Sequence, residues 1–468
     1  MQRTSTVDGL HRWGPALPCQ CAQRHSQICH IGWLEAAWHS APDETGLLHS
    51  PFRGMTPMQN NSAVIIEGAT VIFGDRLEPA SVRIEDGRIT AIDGARDGAD
   101  IVDGRRYLLA PAFVDIHGDA FERQIMPRPG TSLPVAPALL DTDRQLAANG
   151  IATAYHALTL SWEPGLRSVE NGYAVVRALD ALGPRLTVDN RVQLRWETFC
   201  FEAIELIREA LAGPRLPSIA FNDHTSMAML HPSTPLQERP FDLDPAFPAV
   251  DPETPAFAEK MAERAKRAKI PVSDMVALVR NMWDRRPQVP AAIEEVATLG
   301  QAAGAPMLSH DDSQIETRDF FRVRGARISE FPMNKRVARA AREAGDFIVF
   351  GAPNATRGGS HIASIGAADM IREGLCDILA SDYYYPAMLL GLARLKADGV
   401  APVHALWPLV SGNPARASGH FDRGVIEVGK RADLILVDWP EGGAPVVRRT
   451  WVAGREAYCA ARRWAGDE

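Results

Sequence analysis

Eight short apolar runs, near residues 109–117, 151–158, 191–198, 218–224, 305–310, 328–333, 347–352 and 376–382, recur along the chain. Between them lie Ala-rich stretches of helical period, such as ALLDTDRQLAANG and RVARAAREAG. Strand-like runs that alternate with helices argue for parallel strands joined by crossover helices. Eight such units are the number that closes a (β/α) barrel. Outside this region the texture changes. SAVIIEGATVIFGDRLEPASVRIEDGRITAIDG near the start and GVIEVGKRADLILVDWPEGGAPVVRRTWVAGREAY near the end are short β-patterns broken by Gly and Asp turns. They read as a small antiparallel sheet.

Composition narrows the function classes. The 468 residues carry a formal net charge of −8, so no basic surplus is available to neutralise a nucleic-acid backbone. A pocket on an acidic protein can still be locally basic, which leaves a small anionic substrate open. No apolar run approaches the roughly 18–20 residues that span a bilayer, so no membrane partner is expected; self-association into a homo-oligomer is compatible with the chain. The cysteines, Cys19, Cys21, Cys29, Cys200, Cys376 and Cys459, are too sparse for a disulfide framework, and a reducing cytoplasm is the natural setting. Residues 1–57 show neither strand nor helix period and read as a disordered leader or an upstream start. The Cys19, Cys21, Cys29 and His30 spacing fits no usual structural zinc pattern.

The ionisable residues fall at one end of the apolar runs. AFVDI is followed by His117-Gly118-Asp119, LRWET carries Glu197, FNDH ends on His224, PMLSHDDS carries His310 with Asp311 and Asp312, and CDILASD ends on Asp382. His117 and Asp119 share one face by strand alternation. A strand-terminal histidine alone is usually a hydrogen-bonded structural residue. Histidines and carboxylates converging on the C-terminal rim of a barrel instead supply imidazole nitrogen and carboxylate oxygen, the donor set of one or two Zn²⁺ ions, or of Mn²⁺. Glu197 is placed to bridge two ions. The expected chemistry is hydrolysis by metal-activated water, with Asp382 moving the proton and His361 or the metal stabilising charge at the attacked centre. The longest gap, about 80 residues after Thr225, holds the Pro- and Asp-rich PSTPLQERPFDLDPAFPAVDPETP, expected to lie over the barrel mouth.

His117-x-Asp119, His224, His310, Asp382 and the tail GVIEVGKRADLILVD resemble the amidohydrolase superfamily. HGDAFERQIMPRPG, SHDDS, EFPMN, GAPNATRGGSH and ILASDYYYP resemble, more narrowly, the PhnM-type enzymes of phosphonate catabolism, over roughly residues 60–455. The resemblance implies a metal-bearing barrel (residues 111–415) flanked by a small β-sandwich built from both chain ends (58–110 and 416–468). It implies metal binding by His117, Asp119, Glu197, His224 and His310, with Asp382 as general acid/base and Glu197 where many relatives use a carboxylated lysine. The implied reaction converts α-D-ribose 1-methylphosphonate 5-triphosphate to the 5-phosphate and pyrophosphate. Such a polyanion needs cations; Arg357, Arg128 and Lys335 are the leading substrate-binding candidates, with Arg123, Arg195 and Arg336 also near strand ends. Arg357-Gly358-Gly359 could also bring backbone N–H groups to an anion.

Two departures bear on the substrate. Ala120 follows the His-x-Asp motif where many such chains have Asn, and Thr225-Ser226-Met227-Ala228-Met229 replaces a run like Pro-Gly-Gln-Arg-Gln. An amidohydrolase acting on cyclic amides or acylamines is therefore the alternative reaction. A non-catalytic barrel used as a scaffold is the alternative from another class, and it predicts a broken ligand set.

Overall fold

The computed structural model describes residues 63–358 and 366–460. The leader reading for residues 1–57, with its Cys19, Cys21 and Cys29, lies outside the described residues, as do Gly359 and His361. Two sheets organise the rest.

The first sheet joins both ends of the chain. Strands β1 (Val64–Ile72), β2 (Leu77–Glu85), β3 (Arg88–Ile92), β4 (Asp100–Asp103) and β5 (Leu108–Pro111) come from the N-terminal side. The other sheet then intervenes as β6 (Phe113–Gly118), β7 (Ile151–Leu160), β8 (Asp189–Glu197), β9 (Ser218–Asn222), β10 (Met307–His310), β11 (Ile328–Glu330), β12 (Phe347–Gly351) and β13 (Ile378–Ala380). Finally β14 (Leu434–Asp438), β15 (Val446–Val452) and β16 (Arg455–Cys459) return to the first sheet, whose order is β16-β15-β14-β5-β1-β2-β3 with β4 beside β1. Its pairs are antiparallel except β1 with β4 and with β5. Ala80, Val82 and Ile84 alternate inward on β2 to meet Ile66, Val71, Leu434, Leu436 and Trp451.

The apolar run expected as one strand over 109–117 is divided between the two sheets. Pro111 has no N–H to extend a ladder, so β5 stops there. Its carbonyl accepts instead from the Trp407 indole at 2.9 Å, and the Ala112 N–H crosses to Asp433 O at 2.9 Å. One residue later the chain enters the barrel.

Strands β6 to β13 pair in sequence order, all parallel. Every residue of β6, β7, β9, β10, β11 and β13 is buried. That is the burial of strands covered on both faces. Val114, Ile116, Tyr155, Ala220, Leu308, Ile328, Val349 and Ile378 fill the interior. The cylinder closes where Gly118 and Asp382 bridge in parallel, the Asp382 N–H donating to His117 O and the Asp119 N–H to Asp382 O, both at 2.9 Å. Below the ladder's end, buried Asp115 on β6 accepts from the Ser381 N–H (3.0 Å) and hydroxyl (2.5 Å).

The long connection from β9 to β10 holds helices Pro255–Ala268, Val272–Trp283 and Val289–Ala303 after an irregular stretch. That stretch is fastened to the rim. The buried Arg239 donates to Asp311 O at 3.0 Å, while Ser313 Oγ and Gln314 Nε2 donate to Arg239 O at 2.7 and 2.8 Å. No described helix is long and apolar enough to cross a membrane.

Candidate metal centre

In a barrel of parallel strands the C-terminal ends all reach one mouth. His117 lies next to last on β6, Glu197 is the last residue of β8, His310 of β10 and Glu330 of β11. Asp119 and Asp382 follow β6 and β13 within two residues, and His224 opens the short helix His224–Met229 after β9. Asp223 caps that helix by accepting from the Ser226 N–H at 2.7 Å, which fixes where His224 starts.

Three strands leave the barrel through a left-handed residue: Asp311 (φ 57°), Phe331 (φ 54°) and Asp382 (φ 56°). Each of their N–H groups is held by the carbonyl of the neighbouring strand, at Glu330, Val349 and His117 respectively, 2.9–3.0 Å away. Asp tolerates this conformation, whereas Phe does so under strain that the surroundings must hold. The Phe331 ring meets both His117 and His310 edge-on, with centroids 5.0 and 5.4 Å away. The rigid turn thus wedges two imidazoles.

Three groups of side chains could hold a cation, their ligand atoms within 4.8 Å of one another: His117 with Asp119 and Asp382, His224 with His310 and Asp311, and His117 with His310 and Glu330. The His117 and His310 rings stack 5.6 Å apart, and His224 meets His310 edge-on at 6.0 Å. All donors in these groups are imidazole nitrogens and carboxylate oxygens, the set that suits Zn²⁺ or Mn²⁺. None is a cysteine. The ligand chemistry and the burial both fit a divalent ion.

Charges in the cluster are set by burial and by neighbours. Burial pushes the Asp382 carboxyl up to about 6, and the Asp119 carboxylate adds to the rise. Burial also works against ionisation of Glu197, but His224 outweighs it and brings the carboxyl down to about 2. Glu197 Oε1 accepts from His224 Nδ1 in a short contact, and Oε2 from the His224 N–H at 3.0 Å. Burial lowers His310. For His117 burial acts in the same direction, but Glu330 overrides it and the net shift is upward.

The structure therefore brings His117, Asp119, His224, His310 and Asp382 together, with Glu197 tied to His224. Of the cations expected near strand ends, it brings Arg195 to the cluster but not the three leading candidates. Arg128 is exposed in a turn that bridges to Thr131, and Arg357 is exposed at the end of helix Ala352–Arg357. Lys335 pairs with Glu373 at 2.5 Å. Among the described contacts, none ties these three to the histidines. Arg195 takes that place instead: inward-facing on β8 and buried, it sets Nη2 3.1 Å from His310 Nε2 and Nη1 3.7 Å from Asp119 Oδ2. Arg264, from the helix Pro255–Ala268, reaches His224 O at 3.4 Å and Glu163 at 3.3 Å. Nothing in the local pattern around Arg264 marks it, because the long connection alone brings it to the rim. Glu330 was also missed, although it ends an apolar run just as the ligands do.

No protein-family profile matches the chain. In sequence it is 27% identical, over 380 residues, to the alpha-D-ribose 1-methylphosphonate 5-triphosphate diphosphatase of Escherichia coli strain K12, covering 80% of this chain and 94% of that protein. In structure it resembles phenylurea hydrolase B, with a TM-score of 0.55 at 16% identity over 84% of this chain and 96% of that one. Molinate hydrolase gives 0.54 at 16% identity over 85% and 94%. An amidohydrolase from an environmental sample of the Sargasso Sea gives 0.53 at 15% identity over 86% and 95%. The structural likenesses show the fold, a parallel eight-stranded barrel with a separate, mainly antiparallel sheet.

Proposed function

We propose, from the premise that this chain is a hydrolase of the amidohydrolase type related to the Escherichia coli diphosphatase, that it cleaves a ribose 5-triphosphate carrying a 1-methylphosphonate. Water adds to phosphorus, the P–O–P bond between the α and β phosphates breaks, and the products are the 5-phosphate and pyrophosphate. The observation that carries this reading is Arg195. Its guanidinium is buried among the candidate ligands, beside His310 and Asp119. It offers forked N–H donors to a phosphoryl oxygen at the place where water and substrate would meet.

His117, Asp119 and Asp382, with His224, His310 and Asp311, are the residues that would hold one or two divalent ions, zinc or manganese; Glu197, tied to His224, is retained as a further candidate ligand. When bound, such an ion supplies Lewis-acid activation of water and neutralises phosphate charge. Asp382 takes the proton from the attacking water and returns one to the leaving pyrophosphate. Its raised pKa, about 6, suits a group that must both accept and release a proton near neutrality. Arg195 holds the attacked phosphate, and Arg264 extends the positive wall toward the rim. His361 is retained as a candidate for stabilising charge at the reacting centre, and Arg128, Lys335 and Arg357 as outer contacts for the anionic tail. The setting we propose is the cytoplasm.

The test is a substrate comparison on metal-loaded protein. Release of pyrophosphate from the ribosyl triphosphate, or from a nucleoside triphosphate as a surrogate, supports the reading. Silence on triphosphates together with turnover of cyclic amides or acylamines would replace it with carbon–nitrogen hydrolysis.

A further inference from the structure

Glu330 has no part in the chemistry described so far, yet its carboxylate touches both central imidazoles of the barrel. It ends β11 completely buried, and one oxygen, Oε1, accepts from His117 Nδ1 at 2.9 Å and from Gln193 Nε2 at 2.8 Å. The other, Oε2, accepts from His310 Nδ1 at 2.7 Å. Gln193 is itself anchored to Ile116 O at 3.1 Å, so the carboxylate cannot rotate without losing a partner. The residue thus links β6, β8, β10 and β11 at one point.

The protons can be placed from these contacts. An ionised carboxylate has only lone pairs, so each imidazole must present an N–H at Nδ1. On His310 the assignment has a second support. Its Nε2 faces Arg195 Nη2 at 3.1 Å, and a guanidinium donates but never accepts. The Nε2 atom therefore carries the lone pair. A neutral imidazole with its proton on Nδ1 is ready to ligate a cation through Nε2.

We propose that Glu330 is a positioning residue that sets this tautomer on His117 and His310 together, and so couples the two cation positions to which those rings belong. One position is His117 with Asp119 and Asp382, and the other is His310 with His224 and Asp311. A single acceptor shared between them makes the orientation of one ring a condition for the other. The proposal rests on the metal-dependent reading of the site but not on the substrate.

The experiment uses the full chain with Zn²⁺, reading affinity by competition with a chromophoric chelator and tautomers by ¹⁵N NMR of histidine-labelled protein. In the loaded wild type, His117 and His310 are expected to be protonated at Nδ1 and metal-bound at Nε2. Glu330→Gln keeps the shape but offers one acceptor oxygen and turns an amide N–H₂ toward the second ring. Zinc affinity is expected to fall about ten- to a hundredfold, with one ring losing its Nδ1 proton. Affinity within twofold of wild type, or metal bound through Nδ1 in the wild type because Glu330 itself is a ligand, overturns the proposal. Should Glu330→Gln fail to fold, the wild-type spectrum decides alone. Wild-type protein that binds no zinc overturns the metal reading, and this inference with it. Zinc binding without pyrophosphate release affects only the proposed substrate.

Discussion

The backbone N–H of Asp382 donates to the carbonyl of His117, 2.9 Å away, across the closing edge of the barrel. The first and last barrel strands are therefore joined by the two residues whose side chains share a candidate cation position. Site and closure are one structure, and the consequences can be measured.

Asp382→Asn preserves the backbone bond and a ligand oxygen while removing the titrating group. Turnover is expected to fall by about 10²–10⁴ with zinc content unchanged, as metal analysis beside steady-state kinetics would reveal. In the wild type, activity should drop as pH falls through about 6, because the carboxyl then takes up a proton and stops acting as a base. A bound cation moves this limb lower. An acid limb unchanged in the variant would remove Asp382 from the mechanism.

Gly118 stands between His117 and Asp119 because nothing larger fits. A methyl group there would sit 2.6 Å from Asp115 Oδ2, 2.9 Å from Ser381 Oγ and 3.3 Å from a Tyr385 ring carbon. Asp115 and Ser381 hold each other across the seam and cannot give way freely. Gly118→Ala is expected to cost about 1–3 kcal/mol, read by denaturant unfolding, and to weaken zinc binding. Stability equal to wild type would show the seam to be soft.

Arg195→Lys keeps the charge and loses the fork. If Arg195 holds a phosphoryl group, kcat/KM for the triphosphate should fall about ten- to a hundredfold in the variant. Kinetics with a neutral amide, should one be turned over, should change far less. Equal losses on both would make the residue a support for His310 and Asp119 alone.

Midway along β7, Tyr155 contacts His420 Nε2 through its hydroxyl at 3.0 Å. Burial first, then the cations of Arg423 and Arg191, bring His420 down to about 4 from 6.5, against the smaller pull of Asp189 and Asp422. Between those values the unfolded chain binds a proton that the folded one refuses, so stability falls as pH drops through that window. His420→Gln should reduce the slope of urea midpoint against pH between about 6.5 and 4, leaving the share of the other buried histidines, His156 and His310. A slope matching wild type would sink this assignment.

The strand pattern and much of the rim are legible in the sequence. Parallel strands buried on both faces are written as unbroken apolar runs, and residues at or just past their C-terminal ends lie at the mouth, so His117, Glu197, His310 and Asp382 could be picked out. The same rule reaches Glu330, which escaped because a lone glutamate in EFPMN has no neighbouring histidine in sequence. His310 comes from the neighbouring strand β10, and His117 on β6 is supplied by the cylinder's closure. The break at Pro111 was hidden for a related reason: the residues either side are equally apolar, and only the competing bonds of Trp407 and Asp433 divide them. The arginines were hardest. Proximity to a strand end in sequence says nothing about which way a long flexible side chain lies, and Lys335 found Glu373 instead.

The suture between Gly118 and Asp382 joins segments separated by more than half the chain. A nascent polypeptide that has emerged only as far as β12 owns both central imidazoles but nothing to hold the edge of β6. The cation position of His117, Asp119 and Asp382 and the seal of the cylinder are therefore both missing until β13 is in place.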